Sequence, residues 1–288
     1  MLVVFAMFKF LSSLSYRYRR RLFYPLLSLV LTISLTVGIP QASQAGWFDV
    51  ILNGIQVIQL SNISNNQEVQ IGKQINNELV GSEIRLYRNP EINRYVNELG
   101  QRLAQNSKRP DIPYTFQVVN DKSINAFATM GGFVYVNAGL IATADNEAQL
   151  ASVMAHEIGH IAARHAIQQM RQAAIQQGIA SAAGLDRNTL VNLGVKVALQ
   201  LPNSRKDELQ ADQLGLQTLE KAGYAPSAMV AFMEKLLKVG GSVPTFLSSH
   251  PATEDRIKAL QQAIDPATAN RGSGLDTVAY KNKIRALL

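Results

Sequence analysis

The chain contains no cysteine, a single tryptophan and only four histidines in 288 residues. Without cysteine there are no disulfides, no thiol nucleophile, no thiolate-held zinc and no lipid attachment through an N-terminal Cys. A metal site has to be built from histidine and carboxylate. Net charge is also scarce once the N-terminus is set aside. The formal charge is +7, but Lys9, Arg17, Arg19, Arg20 and Arg21 stand in residues 1–45 with no acid and supply +5 of it. The high isoelectric point is therefore no argument for nucleic-acid binding. Residues 172–201, although rich in Ala, are nowhere apolar enough to span a membrane.

Residues 1–45 read as an export leader. The basic cluster Arg17–Arg21 precedes an apolar run, Leu26–Ile39, then Pro40 and Ala42-Ser43-Gln44-Ala45-Gly46, where small residues at Ser43 and Ala45 suit cleavage after Ala45. An uncleaved anchor is the competing reading. Leu22–Ile39 gives 18 residues interrupted by Pro25, short of the roughly 20 a spanning helix prefers. Either way the arginines mark the cytoplasmic side, and the chain beyond residue 45 is exported, to the periplasm or to the extracytoplasmic face of a membrane. Residues 46–64, with the apolar stretch Trp47–Leu60, read as a linker or interfacial segment through which the N-terminus associates with a membrane. Residues 65–288 are long enough to form a domain with a real core.

Within that domain the most informative stretch is Val153-Met154-Ala155-His156-Glu157-Ile158-Gly159-His160. It carries H-E-x-x-H inside an Ala-rich run of helical period. Positions four apart on a helix differ by about 40° around the axis, so His156 and His160 project from one face, where two imidazoles can hold one zinc ion. Glu157 lies about 100° away, near enough to reach a water in the site without being a ligand. Two ligands and a general base make the zincin arrangement.

The flanking pattern predicts an α+β fold, mostly helical, with a zincin-like core. Helices are expected over residues 68–79 and 90–103, the second with Pro90 in its first turn. Tyr114–Val119, Ala126–Thr129 and Phe133–Val136 read as strands of a small antiparallel sheet beside the H-E-x-x-H helix. That helix is expected to run unbroken from Glu147 to Met170. Two helices are expected within 172–201, then others at 204–222, 226–239 and 253–264, and a short one at the C-terminus.

A zincin needs a third protein ligand. Six residues beyond His160, where metzincins place it, stands Ala166, so that pattern fails. His165, nine residues after His156, falls about 180° round a continuous helix and belongs to the ordinary surface or core histidines. Further on, Glu208 and Asp212 are again four apart on a predicted helix. A Glu ligand with an Asp that holds the free ring N–H of a ligating His is the pairing such a site uses.

Four blocks occur in order: HEIGH; the E-x-x-x-D segment after Ser204-Arg205; Asn125-Ala126-Phe127-Ala128 with Gly131-Gly132-Phe133-Val134-Tyr135-Val136-Asn137; and Ser249-His250-Pro251 with Arg256. In these the sequence resembles the zinc metallopeptidases typified by the CAAX prenyl endoprotease, the heat-shock protease HtpX and the periplasmic protease BepA, over roughly residues 65–265. The resemblance implies a gluzincin-type endopeptidase with one zinc on His156, His160 and Glu208, Glu157 as base and Asp212 orienting His156. It also brings His250 to the site, either to donate to the oxyanion or to close the open zinc position, and Arg256 to hold that loop or a carboxylate.

If the Phe133–Val136 strand is the sheet's edge above the cleft, an extended polypeptide can pair with it. Gly132, Phe133, Val134 and Tyr135 would then bind substrate by main-chain hydrogen bonds; otherwise it is an ordinary core strand. The expected activity is hydrolysis of peptide bonds in misfolded or misassembled envelope proteins. The alternative is a chaperone or assembly factor that binds unfolded polypeptides, with proteolysis repressed or secondary.

Overall fold

A computed structural model of the chain describes residues 60, 62–178, 185–239, 244–251 and 254–288. The expected leader and cleavage site, and most of the expected linker or interfacial segment, lie outside the described residues. Ser64 opens helix α1 (Asn65–Glu78): its hydroxyl accepts from the Gln67 N–H, and the Gln67 side chain accepts in return from the Ser64 N–H. A π-helical turn (Leu79–Glu83) ends it. Asn89 caps α2 (Pro90–Gln105), which has proline in its first turn and buries Ile92, Val96, Leu99 and Leu103 at helical spacing.

Three strands come next, β1 (Thr115–Val119), β2 (Ala126–Thr129) and β3 (Phe133–Asn137), in the spatial order β1–β3–β2. β2 and β3 form the expected antiparallel hairpin, turning through Gly131 (φ 80°) and Gly132 (φ 98°), backbone angles that L side chains rarely adopt. β1 lies parallel to β3, so the sheet is mixed where an antiparallel one was expected. The hairpin takes one edge of β3 and β1 takes the other. All five β3 residues are buried, which is why Phe133-Val134-Tyr135-Val136 reads as a continuous apolar run. Its alternation is kept within the core: Val134 and Val136 join one hydrophobic cluster, Phe133 and Tyr135 the other. β3 is thus no edge strand. The edge beyond the hairpin belongs to β2.

After α3 (Ala138–Thr143), Asn146 caps α4 (Glu147–Ala162) by accepting from the Gln149 N–H, and Ala148–Ile161 are all buried. This is the H-E-x-x-H helix, and it stops earlier than its periodicity predicts. Arg164 adopts the left-handed conformation (φ 60°, ψ 33°), and a separate helix, α5 (His165–Gln176), begins after it. No glycine or proline signals the break. Arg164 is held there by tertiary partners: Nε donates to Glu68 Oε2 at 2.9 Å and Nη2 to the Ile63 carbonyl at 2.8 Å.

The chain continues through α6 (Arg187–Gln200), α7 (Arg205–Lys221), α8 (Ser227–Lys238), the short α9 (Thr245–Ser249), α10 (Glu254–Ala263), α11 (Thr277–Lys283) and a closing 3₁₀ turn (Arg285–Leu287). Among the described residues no helix is long and apolar enough to cross a membrane. Helices α4 and α7 approach almost backbone to backbone. A Cβ at Gly159 would lie 2.6 Å from the Ala211 carbonyl oxygen, and one at Gly215 would lie 3.0 Å from the His156 backbone. A side chain at Gly159 would force the two backbones apart, and one at Gly215 would press on the His156 backbone.

Candidate metal centre

That close contact assembles the site. His156 and His160 leave α4 one turn apart. Glu208 leaves the first turn of α7, whose N-cap Ser204 accepts from the Asp207 N–H. His250 enters from the residue that ends α9. All four are buried, and one ligand-type atom from each lies within 4.8 Å of the others. His156 Nε2 is 3.0 Å from His160 Nε2 and 3.3 Å from His250 Nδ1. Glu208 Oε2 lies 3.3 Å from His156 Nε2, while Oε1 lies 3.3 Å from His160 Nε2 and 3.0 Å from His250 Nδ1.

The donor set fits a metal ion. Ligand atoms around a tetrahedral ion with bonds of about 2.0 Å stand about 3.3 Å apart, close to the 3.0–3.3 Å that separates the pairs named above. Two buried ring nitrogens facing each other at 3.0 Å need a proton or a cation between them. Glu208 Oε2 and both Glu157 oxygens, all buried, lack hydrogen-bond partners among the described residues. The His250 ring stands beside Glu157, with Nε2 at 3.5 Å from Oε1.

Asp212 Oδ1 lies 2.9 Å from His156 Nδ1, on the ring edge opposite the cluster. Arg256 grips the same carboxylate in a fork, Nε to Oδ2 and Nη2 to Oδ1, both at 2.7 Å. Its Nη1 stands 2.6 Å from Glu208 Oε2 as an ion pair without hydrogen-bond alignment, and donates to the Pro251 carbonyl at 3.0 Å. The guanidinium therefore fastens both the His250 loop and the two α7 carboxylates.

Electrostatics separates the two α4 imidazoles. Burial pushes His156 down, but the Glu208 and Asp212 carboxylates outweigh it and raise it to about 10. His160 has no carboxylate on its far edge, and burial drives it down to about 3. Burial pushes Glu208 upward, yet His156 and His250 hold it far below the usual carboxylate range. Glu157 is raised by burial.

The profile of peptidase family M48 matches residues 90–264, which takes in every residue of this cluster. The chain belongs to peptidase family M48. Among curated proteins it is similar to the beta-barrel assembly-enhancing protease of Escherichia coli K12, 35% identical over 214 residues, 68% of this chain and 44% of the relative. It is also similar to the mitochondrial metalloendopeptidase OMA1 of Arabidopsis thaliana (36% over 165 residues, 56% of this chain and 33% of the relative). The fission-yeast OMA1 is 31% identical over 183 residues, 62% of this chain and 54% of the relative. The chain thus spans about half or less of the length of these relatives. The α4–α7 pair is a metallopeptidase core of the M48 type.

Two features of this M48 core depart from the sequence reading. Gly132, Phe133, Val134 and Tyr135 cannot offer a free strand edge, because β3 is paired on both sides and buried. The strand that lines the cleft is β2: Phe127, Ala128 and Thr129 border it together with Glu157, His160 and His250. The second is His165. A continuous helix would carry it away from the site, but the break at Arg164 folds it back, and its Nδ1 lies 2.8 Å from His160 Nδ1. Nothing in the spacing points to this. Asn203, also absent from the sequence reading, places Nδ2 3.2 Å from His250 Nδ1 and is held by Gln169.

Proposed function

We propose that residues 65–288 form one zinc endopeptidase domain, exported by residues 1–45, that hydrolyses peptide bonds in unfolded or misassembled envelope proteins. The observation that carries this reading is the four-atom cluster with a buried Glu157 beside it whose oxygens have no hydrogen-bond partner among the described residues. A structural zinc site has no use for that carboxylate. His156, His160 and Glu208 would hold the ion, which supplies Lewis acidity: it makes water acidic near neutral pH and polarises a carbonyl.

The chain's own residues do the rest. Glu157, its carboxyl raised by burial, takes the proton of the attacking water and returns it to the leaving amine. Asp212, locked by Arg256, accepts from His156 Nδ1–H and so presents Nε2 to the ion. A substrate strand adds to β2, the edge strand along the cleft, through main-chain hydrogen bonds that read extended conformation more than side chains. Unfolded segments satisfy this mode and folded ones do not. Similarity to a beta-barrel assembly-enhancing protease supports an envelope substrate.

His250 acts as a latch in this reading. Its Nδ1 stands among the ligand atoms, at 3.3 Å from His156 Nε2, and its Nε2 faces Glu157, so the ring fills the place that water and substrate need. The same closure favours the second reading, a factor that binds unfolded chains with proteolysis repressed. Zinc content and casein cleavage, measured on wild type, Glu157→Gln and His250→Ala, test both. The expected outcome is one zinc per chain in wild type, zinc retained with cleavage lowered by about 10²–10⁴ in Glu157→Gln, and faster cleavage in His250→Ala. Unchanged cleavage in Glu157→Gln, or no zinc, refutes the endopeptidase. Slower cleavage in His250→Ala refutes the latch and makes the ring an oxyanion donor.

A further inference from the structure

Each ligand imidazole of α4 meets a partner on its far ring edge, and the two partners differ. His156 meets a carboxylate directly. His160 meets the imidazole of His165, Nδ1 to Nδ1 at 2.8 Å, the rings edge to face with centroids 4.9 Å apart. His165 is buried (1% exposed) and its other nitrogen, Nε2, lies 3.1 Å from Gln210 Oε1 and 3.6 Å from Asp207 Oδ1.

Proton counting gives this chain a direction. Both atoms facing His165 Nε2 are oxygens that accept, so Nε2 carries a proton. In the neutral ring Nδ1 is then bare and accepts, and the donor facing it is His160 Nδ1–H. That leaves His160 Nε2 without a proton, pointing at His156 Nε2 and Glu208 Oε1. We infer that His165 is a positioning residue for His160: the relay His160 Nδ1–H to His165, and His165 Nε2–H to Gln210, fixes the ring and the tautomer that present Nε2 to the metal. The inference rests on the metal-site reading above. Helix α7 thereby controls both imidazoles, His156 through Asp212 and His160 through Gln210 and His165, while Glu208 between them is itself a ligand.

Placing His165 takes a built-in distortion of the fold. On an unbroken helix it would lie about 140° round from His160. The left-handed Arg164 brings it back, and Glu68 holds Arg164 from α1. Arg109 pairs with the same carboxylate at 2.8 Å and donates to the Ile161 carbonyl at 3.0 Å, which ends α4 at the required point. A left-handed residue other than glycine, held by two ion-paired side chains next to a site, is where strain is expected to have a use.

The test is zinc affinity, by competition with a chromophoric chelator, on the full chain as wild type, His165→Ala, His165→Asn and Gln210→Leu. An Asn at this position offers its Oδ1 where His165 Nδ1 stood. Expected are a loss of about 10–100-fold in His165→Ala, recovery of most of it in His165→Asn, and a smaller loss in Gln210→Leu, with unchanged far-ultraviolet circular dichroism. Nitrogen-15 spectra of the zinc-bound wild type should show His165 protonated at Nε2 alone. Equal affinity of His165→Ala and wild type, an Asn variant no tighter than the Ala one, or a proton on His165 Nδ1 overturns the relay. Should His165→Ala not fold, the spectrum and Gln210→Leu decide the matter. Wild type that binds no zinc overturns the metal site itself, an outcome distinct from zinc binding that is indifferent to His165.

Discussion

Asp212 shows how much one carboxylate carries. It accepts from His156, and it is clasped by Arg256, whose side chain also donates to the Pro251 carbonyl and so holds the His250 loop. Replacing it with Asn removes the charge but hardly changes the volume. The expected result is a fall of about 10–100-fold in zinc affinity, since the ring of His156 loses its anchor. Urea unfolding of the metal-free protein should show a loss of about 3 kcal/mol as well, because a buried guanidinium keeps only part of its countercharge. Asp212 was legible in the sequence because it stands four residues from Glu208 on one helical face. Arg256 carried no such signal: it lies 44 residues from Asp212, and only the resemblance to the metallopeptidases brought it forward.

At the scale of elements, the contact between α4 and α7 decides whether the three ligand-type side chains His156, His160 and Glu208 converge. Glycine inside a helix costs about 1 kcal/mol against alanine, so Gly159 within H-E-x-x-H invites a packing explanation, and the Ala211 carbonyl is that explanation. Gly159→Ala must push main chain away from main chain. It is expected to lower stability by about 1–3 kcal/mol and also to weaken zinc binding, because Glu208 moves with α7; thermal melts with and without zinc separate the two effects. The order of the strands and the break at Arg164 were not legible. Alternation tells which residues face a core but not which neighbour a strand takes, and Arg164 enters the left-handed region because of Glu68, 96 residues before it.

For the molecule as a whole, Glu68 couples acidity to stability. Burial pushes its carboxyl up, but Arg109 and Arg164 outweigh burial and hold it below the ordinary value of 4.5. Between that lowered value and 4.5 the unfolded chain binds the proton and the folded one does not. The stabilisation from these pairs is therefore fully present above about pH 4.5 and is lost as pH falls through the folded value. The melting temperature of the metal-free protein should drop across that window. Glu68→Gln should be less stable at pH 7, with a flatter acid limb. A variant whose acid limb matches wild type would show that the group does not govern it.

The sequence by itself determined the chemistry: a cysteine-free chain leaves histidine and carboxylate as ligands, and a spacing of four places His156 with His160 and Glu208 with Asp212, because helical geometry is local. It also determined most of the helices and all three strands, through periodicity and a first-turn proline at Pro90. Tertiary structure decided what no local rule contains. It placed β3 in the middle of the sheet and left β2 as the edge strand along the cleft. It turned His250 into the ligand cluster, and it broke α4 at Arg164 to set His165 behind His160. Each of these depends on a partner far along the chain, and contacts between distant residues leave no period in the sequence to be read.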